Sequence, residues 1–237
     1  MQMTIGMLGF QTTISSPVTI SGTGVHSGAA VSITFNPAEA DSGIVFQRLH
    51  DDGTVSEYRA VSAQVGNTDL CTVLGFTPAT SIATIEHVMA ALYALGLDNV
   101  LIEVHGAEMP IMDGSSAPFI DAIDQVGLVA LSVKRRYIRI VKPVRIEAGA
   151  SWAEFSPYDG TRFEVEIDFD CPLIGRQSWK GDLTPAAFRH SWKFGLDLGF
   201  TRLGTIPGAC GVLDRKTGTI RYRDGMLMKL DNPKPQP

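Results

Sequence analysis

Three short apolar runs, two alternating and one clustered, constrain the fold of this chain more than any other feature, and glycine and proline separate them. They lie between Val18 and Arg48. Their apolar residues are Val18 and Ile20, then Val31, Ile33 and Phe35, then Ile44, Val45 and Phe46. Alternation with a period of two is typical of strands that bury one face. We therefore predict that the three runs are strands that pair as an antiparallel sheet.

A helix pattern follows these strands, between Thr84 and Leu95. Apolar residues recur there every three or four positions, at Ile85, Val88, Met89, Leu92 and Leu95, which predicts one buried helical face. Ser81 or Thr84 can cap the start of the helix, and Gly96 can end it. Further along, the sequence predicts a buried strand, a turn and a second helix, over residues 99–104, 110–115 and 118–126.

The second half of the chain begins after a basic cluster, Lys134–Arg136, which we interpret as a solvated linker. Strand patterns resume over residues 137–146, 152–155 and 163–169, and a helix is predicted over residues 185–196. Residues 204–237 are rich in glycine, proline and charge, which predicts an extended or disordered tail. We place the domain boundary near residue 130, so the predicted domains are 1–130 and 131–237, both of the α+β class.

The two halves share a weak internal similarity. Ile33–Pro37 matches Ala153–Pro157 in character, and each segment is followed by a turn with glycine and then by a strand. A duplicated α+β unit would explain this similarity. Chance agreement of a few strand residues explains it equally well.

The composition excludes some classes of function. The chain has 237 residues, 44% hydrophobic and 19% charged, which is enough to bury substantial cores. Its net charge of −5 argues against binding to nucleic acid, since that binding depends on attraction to phosphates. The sequence has neither a basic start typical of a signal peptide nor the roughly eighteen consecutive apolar residues that a membrane span needs. We expect a globular protein that does not span the membrane and is cytoplasmic.

The three cysteines predict no disulfide framework. Cys71, Cys171 and Cys210 are odd in number, far apart and never in a C-x-x-C spacing, so a structural zinc site built on them is not indicated either. We interpret them as reduced thiols in packed interiors. Cys71 lies in a polar run, residues 67–72, that precedes the first predicted helix, and can line a pocket there.

Glu86 and His87 are the adjacent pair that could support metal-assisted hydrolysis. A zinc site that activates water needs about three protein ligands and a carboxylate nearby to take a proton. Consecutive helical residues point about 100° apart, so one can be a ligand while the other is a nearby base. The other histidines are His26, His50, His105 and His190. A buried or surface histidine with a purely structural role is the commoner interpretation of His87.

Two glycine-containing segments have ordinary interpretations. Gly22–Gly28 lacks the lysine of a phosphate-binding loop and leads into a strand pattern, so we predict a turn between strands. Asp113–Ser116 is typical of a connecting turn.

Several segments together resemble one family, the zinc-dependent UDP-3-O-acyl-N-acetylglucosamine deacetylases of lipid A biosynthesis in Gram-negative bacteria. The resemblance runs from about residue 10 to about residue 190. Its most specific parts are Thr84–His87 and Pro110–Ser115. The other segments that carry it are Gly24–Gly28, Asn67–Thr68 with Cys71–Thr72, Gly96–Asn99, Glu103–Val104, Glu108–Met109, Trp152–Phe155 and Asp168–Asp170.

The resemblance implies a fold and a chemistry. The family has two similar two-layer α/β sandwich domains that face each other across a cleft. This cleft holds Zn²⁺ and a nucleotide-sugar substrate with its acyl chain. By the family's pattern His87 would be a zinc ligand, and Glu86 would be the general base that takes a proton from the attacking water. The products would be a free amine and acetate.

The sequence departs from the family's pattern in its second half. The family draws further zinc ligands from a His-Lys-x-x-Asp motif and has an acid histidine further on, but this chain has no His-Lys pair. If Asp231 matches the aspartate of that motif, Leu227 replaces its histidine. Lys193 and Cys171 also differ from the family's usual residues. We therefore expect an incomplete, shortened second domain, and we keep as an alternative a catalytically impaired homologue that binds a ligand or partner protein without turnover.

Overall fold

A computed structural model describes residues 9–169 and 175–189 and three later strands, at residues 211–214, 219–222 and 227–229. Contacts divide the chain into two compact units. The first comprises Met1–Asp159 and Thr184–Leu198, and the second comprises Gly160–Leu183 and Gly199–Pro237. The domain boundary predicted at residue 130 stays a prediction.

The first unit contains a five-stranded sheet. The strands and helices of the first unit up to residue 155 are, in chain order, β1 (Phe10–Ile14), β2 (Val18–Thr23), β3 (Ala30–Pro37), β4 (Ile44–Leu49), β5 (Val55–Arg59), α1 (Glu86–Leu95), β6 (Val100–His105), α2 (Ala117–Val126), β7 (Leu128–Lys134), β8 (Val144–Ala148) and β9 (Ser151–Phe155). A short 3₁₀ turn, Ser62–Gln64, follows β5. Strands β1 and β7 pair separately from the large sheet, as do β8 and β9.

The strand order of the large sheet is β2-β3-β6-β4-β5. All three predicted strands are present, and β2 pairs antiparallel with β3 as expected. The prediction that β4 joins them antiparallel is wrong, because β6 lies between β3 and β4 and runs parallel to β4. A parallel neighbour requires a long crossover connection, and the segment that contains α1 supplies one.

The core lies between this sheet and the two helices. Strand β3 buries alternate residues, Val31, Ile33 and Phe35. Strand β6 does the same with Val100, Ile102 and Val104, and α1 turns Val88, Ala91, Leu92 and Leu95 inwards. Helix α1 contacts α2, and α2 contacts β2. One helical layer on one sheet confirms the α+β class.

The start of α1 differs from the prediction. The helix begins at Glu86, no side chain caps it, and neither Ser81 nor Thr84 serves as its cap. Thr84 instead has a left-handed backbone with φ of 62°, and its hydroxyl donates to Glu108. Gly96 ends the helix as predicted, with φ of 70°.

The prediction of a solvated linker at Lys134–Arg136 is wrong for Arg135. Its guanidinium donates to Asp98 Oδ2 at 2.6 Å and to the Gly96 carbonyl at 2.6 Å, and only 14% of its side chain is exposed. Arg135 thus binds a carbonyl at the end of α1, where a cation is favourable. Arg136 is solvated, with 88% of its side chain exposed.

In the second unit, β10 (Arg162–Asp168) pairs antiparallel with β11 (Arg176–Asp182). Strands β12 (Gly211–Asp214), β13 (Thr219–Tyr222) and β14 (Leu227–Lys229) form an antiparallel sheet. Part of the tail is therefore extended, as predicted, but hydrogen-bonded into a sheet.

The other elements expected after residue 130 are partly present. Strands β8, β9 and β10 confirm three predicted strands, although β8 begins only at Val144. Of the predicted helix 185–196, α3 (Pro185–Ala187) is present in the first unit, and residues 190–196 lie outside the described part. No helix within the described residues has the length and apolar character to cross a membrane.

Candidate active site

Glu86 and His87 occupy the first turn of α1. The His87 side chain is buried, with 4% of the residue exposed. Its backbone carbonyl accepts a hydrogen bond of 2.9 Å from the hydroxyl of Ser116, the residue just before α2. The start of α2 therefore holds the backbone of His87.

The Glu86 carboxylate is half-buried beside the polar run of residues 67–72. Its Oε2 accepts the backbone N–H of Thr72 at 2.9 Å, and the Ile85 N–H donates to the Thr72 carbonyl at 3.3 Å. Within the described residues, Glu86 Oε1 has no hydrogen-bond partner. One oxygen of the carboxylate is thus held in place by Thr72. Cys71, a half-buried free thiol, directly precedes Thr72.

The described residues supply only part of a metal site. No group of three or more histidine, cysteine, aspartate or glutamate side chains that could hold a metal ion occurs among them. His50 bonds to the hydroxyl of Ser56 at 2.8 Å, and His26 and His105 are exposed. The imidazole of His87 suits zinc, but a site needs about three protein ligands. Of the positions at which the sequence departs from the family, Cys171 and Lys193 lie outside the described residues, and Leu227 begins β14. Asp231, the possible match to the family's aspartate, and His190 also lie outside the described residues.

Sequence reasoning missed the role of Glu108, which gathers four hydrogen bonds while only 4% exposed. Its oxygens accept the backbone N–H groups of His26 and Ser27, each at 3.0 Å, and the Ser27 hydroxyl at 2.8 Å. The Thr84 hydroxyl donates at 3.0 Å. The available signal was that a charged residue stands beside the apolar Met109 and Pro110, since buried charges need partners.

These partners set the charge state of Glu108. Burial raises its pKa, but the hydrogen bonds from His26, Ser27 and Thr84 stabilise the carboxylate by more, so the net effect lowers the pKa of Glu108. All four of these hydrogen bonds are donated to Glu108, which suits an ionised carboxylate. The cluster therefore holds a buried negative charge through hydrogen bonds.

The lowered pKa predicts how stability depends on pH. The contribution of Glu108 is complete above its ordinary pKa of 4.5 and is lost as pH falls through the lower folded value. We expect Glu108→Gln to lower the free energy of unfolding by about 1–3 kcal/mol near neutral pH, because the amide places an N–H donor against other donors. Urea unfolding of both proteins at several pH values, from neutral to acidic, measures this difference.

The difference between wild type and Glu108→Gln should shrink as the buffer becomes acidic. Glu57→Gln, on the exposed side of β5, is the matched control and should change stability little at any pH. A difference for Glu108→Gln that stays constant across the range would contradict the assignment of the charge.

Comparison with known proteins identifies the family. The sequence model described as UDP-3-O-acyl N-acetylglycosamine deacetylase matches residues 11–194. Proteins named UDP-3-O-acyl-N-acetylglucosamine deacetylase from Brucella ovis and Brucella melitensis are each 52% identical over 198 residues, which cover 83% of this chain and 68% of the relative. The identity extends over most of the chain and is therefore not confined to a few motifs. The chain belongs to the UDP-3-O-acyl N-acetylglycosamine deacetylase family.

Proposed function

We propose that this protein is a hydrolase that removes the acetyl group from UDP-3-O-acyl-N-acetylglucosamine, as a step of lipid A biosynthesis. The observation that carries the proposal is the 52% identity to Brucella deacetylases over 83% of the chain. The reaction adds water across the amide bond, so that the sugar nitrogen becomes a free amine and the acetyl group leaves as acetate. No observation on the described residues favours the alternative of a homologue that binds without turnover.

In this proposal Glu86 is the general base. Its Oε1 is available to accept a proton, while the N–H of Thr72 fixes the other oxygen. The start of a helix also carries partial positive charge, which stabilises a carboxylate there. A base of this kind must lie within about 3 Å of the proton that it takes, and a fixed carboxylate meets that need better than a mobile one.

We further propose that the protein uses Zn²⁺ and that His87 is one of its ligands. Buried imidazole is a common zinc ligand, and the Ser116 hydrogen bond holds the backbone from which it projects. When bound, zinc lowers the pKa of water and polarises a carbonyl group. The described residues alone do not complete this set of ligands. The substrate is a nucleotide sugar that carries an acyl chain, and the proposed compartment is the cytoplasm of a Gram-negative bacterium.

A direct assay tests this function. The full chain, stripped of metal with a chelator and then reloaded with zinc, is incubated with UDP-3-O-acyl-N-acetylglucosamine, and mass spectrometry follows the loss of the acetyl group. We expect turnover with zinc and little without it. UDP-N-acetylglucosamine, which lacks the acyl chain, is the control substrate and should react far more slowly, because remote binding energy contributes to catalysis. A folded, zinc-treated chain that releases no acetate would refute the proposal.

A further inference from the structure

The Glu108 carboxylate connects its own segment to two others that are distant in the sequence. It binds the turn Gly24–Gly28 through His26 and Ser27, and it binds Thr84 just before α1. Gly24 is buried, and a Cβ atom there would lie within 3.0 Å of this carboxylate. The turn therefore approaches Glu108 as closely as a residue without a side chain allows.

Thr84 is the link between this cluster and the helix that carries Glu86. A left-handed backbone is unfavourable for a β-branched residue such as Thr84, and it persists only where the surroundings hold it. The backbone next to Thr84 is also hydrogen-bonded to the segment around Glu108. The Ala83 N–H donates to the Ala107 carbonyl at 3.0 Å, and the Met109 N–H donates to the Ala83 carbonyl at 2.9 Å. The hydroxyl of Thr84 donates a hydrogen bond to the carboxylate of Glu108.

The conformation of Thr84 sets the direction in which α1 begins, two residues before Glu86. We propose that Glu108 is a positioning residue for the hydrolysis, acting through Thr84 to hold Glu86 in its place beside Thr72. The expected effect of Glu108 on the rate of deacetylation rests on the proposed function. Its expected effect on the position of Glu86 does not. Glu108 accepts its hydrogen bond from Thr84, and the proposed base is Glu86.

The backbone amide of Thr72 reports the position of Glu86 without any need for activity. It donates to Glu86 Oε2, so its hydrogen exchange slows when Glu86 is in place and speeds up when Glu86 moves. A general structural role of Glu108 would instead speed exchange throughout the first unit, including the central strand β6. The ratio of exchange at Thr72 to exchange in β6 separates the two roles.

The test compares three variants of the full chain with wild type, first without added metal. Glu108→Gln removes the charge, Thr84→Val removes the hydroxyl but keeps the shape, and Thr84→Ser keeps the hydroxyl as the conservative control. We expect Glu108→Gln and Thr84→Val to speed exchange at Thr72 by about tenfold more than in β6, the worth of one hydrogen bond. Exchange in β6 follows the overall loss of stability of each variant. Thr84→Ser should exchange as wild type does.

In zinc-treated protein, we expect Glu108→Gln and Thr84→Val to lower kcat by about 10- to 100-fold, the scale of a small misplacement, with KM nearly unchanged. The inference is overturned if hydrogen exchange at Thr72 in Glu108→Gln is as slow as in wild type. It is also overturned if exchange speeds up by the same factor at Thr72 and in β6. Thr84→Ser behaving like Thr84→Val also overturns it. If wild type proves inactive, the proposed function fails, and the exchange comparison still decides whether Glu108 positions Glu86.

Discussion

Glu86→Gln is expected to lower the rate of deacetylation by about two to four orders of magnitude, the usual worth of a general base. Glutamine has nearly the same shape, and its carbonyl oxygen can still accept the Thr72 N–H that now binds Oε2. It cannot take up a proton from water at neutral pH. The measurements are kcat for acetate release, zinc content and the thermal transition, of which only kcat should change.

The matched control for this change is Glu103→Gln on β6. Glu103 is also half-buried, but it alternates with the buried Ile102 and Val104 and so lies on the opposite face of the sheet from the core. It should leave kcat within the error of the assay. If Glu86→Gln keeps the rate of wild type, Glu86 is not the base and the proton acceptor lies elsewhere.

His87→Ala is expected to reduce bound zinc from about one ion per chain to almost none, and deacetylation to background. Loss of one of about three protein ligands removes a large share of the energy of zinc binding. Among the described residues, no metal-binding cluster of side chains is present that could replace His87. Elemental analysis after dialysis measures the zinc. A chelator series on wild type gives the activity expected at each zinc content.

His105→Ala is the control, because His105 is exposed at the end of β6. It should retain both zinc and activity. The His87 side chain is buried, so its removal also leaves a cavity, and circular dichroism must show that the variant is folded. Stoichiometric zinc in a folded His87→Ala protein would exclude His87 as a ligand.

Some elements of the first unit could be predicted from local patterns, whereas β1, β5 and β7 were not predicted. Alternation located β2 and β3, a cluster of apolar residues located β4, and the three-four spacing located α1, because each pattern reports burial of a single element. The neighbours of β4 could not be predicted, since alternation carries no information on which strand lies beside it. Arg135 was misjudged for the same reason, as its partner Asp98 is 37 residues away.

The candidate site was predictable in part. Glu86 and His87 stood out because they are adjacent on one helical turn and match a family motif. Glu108 did not, because its partners lie 82 residues away at His26 and 24 residues away at Thr84. No sequence pattern over a short window joins such positions. The left-handed Thr84 likewise depends on tertiary contacts, since a threonine has no local preference for that conformation.

The central position of β6 has a consequence for synthesis on the ribosome. The nascent chain can pair β2 with β3 and β4 with β5 early, but the facing edges of the two hairpins have no partner until β6 emerges. Unpaired strand edges readily join strands of other chains. Until β6 has emerged from the ribosome, these two edges are therefore open to pairing with strands of other chains.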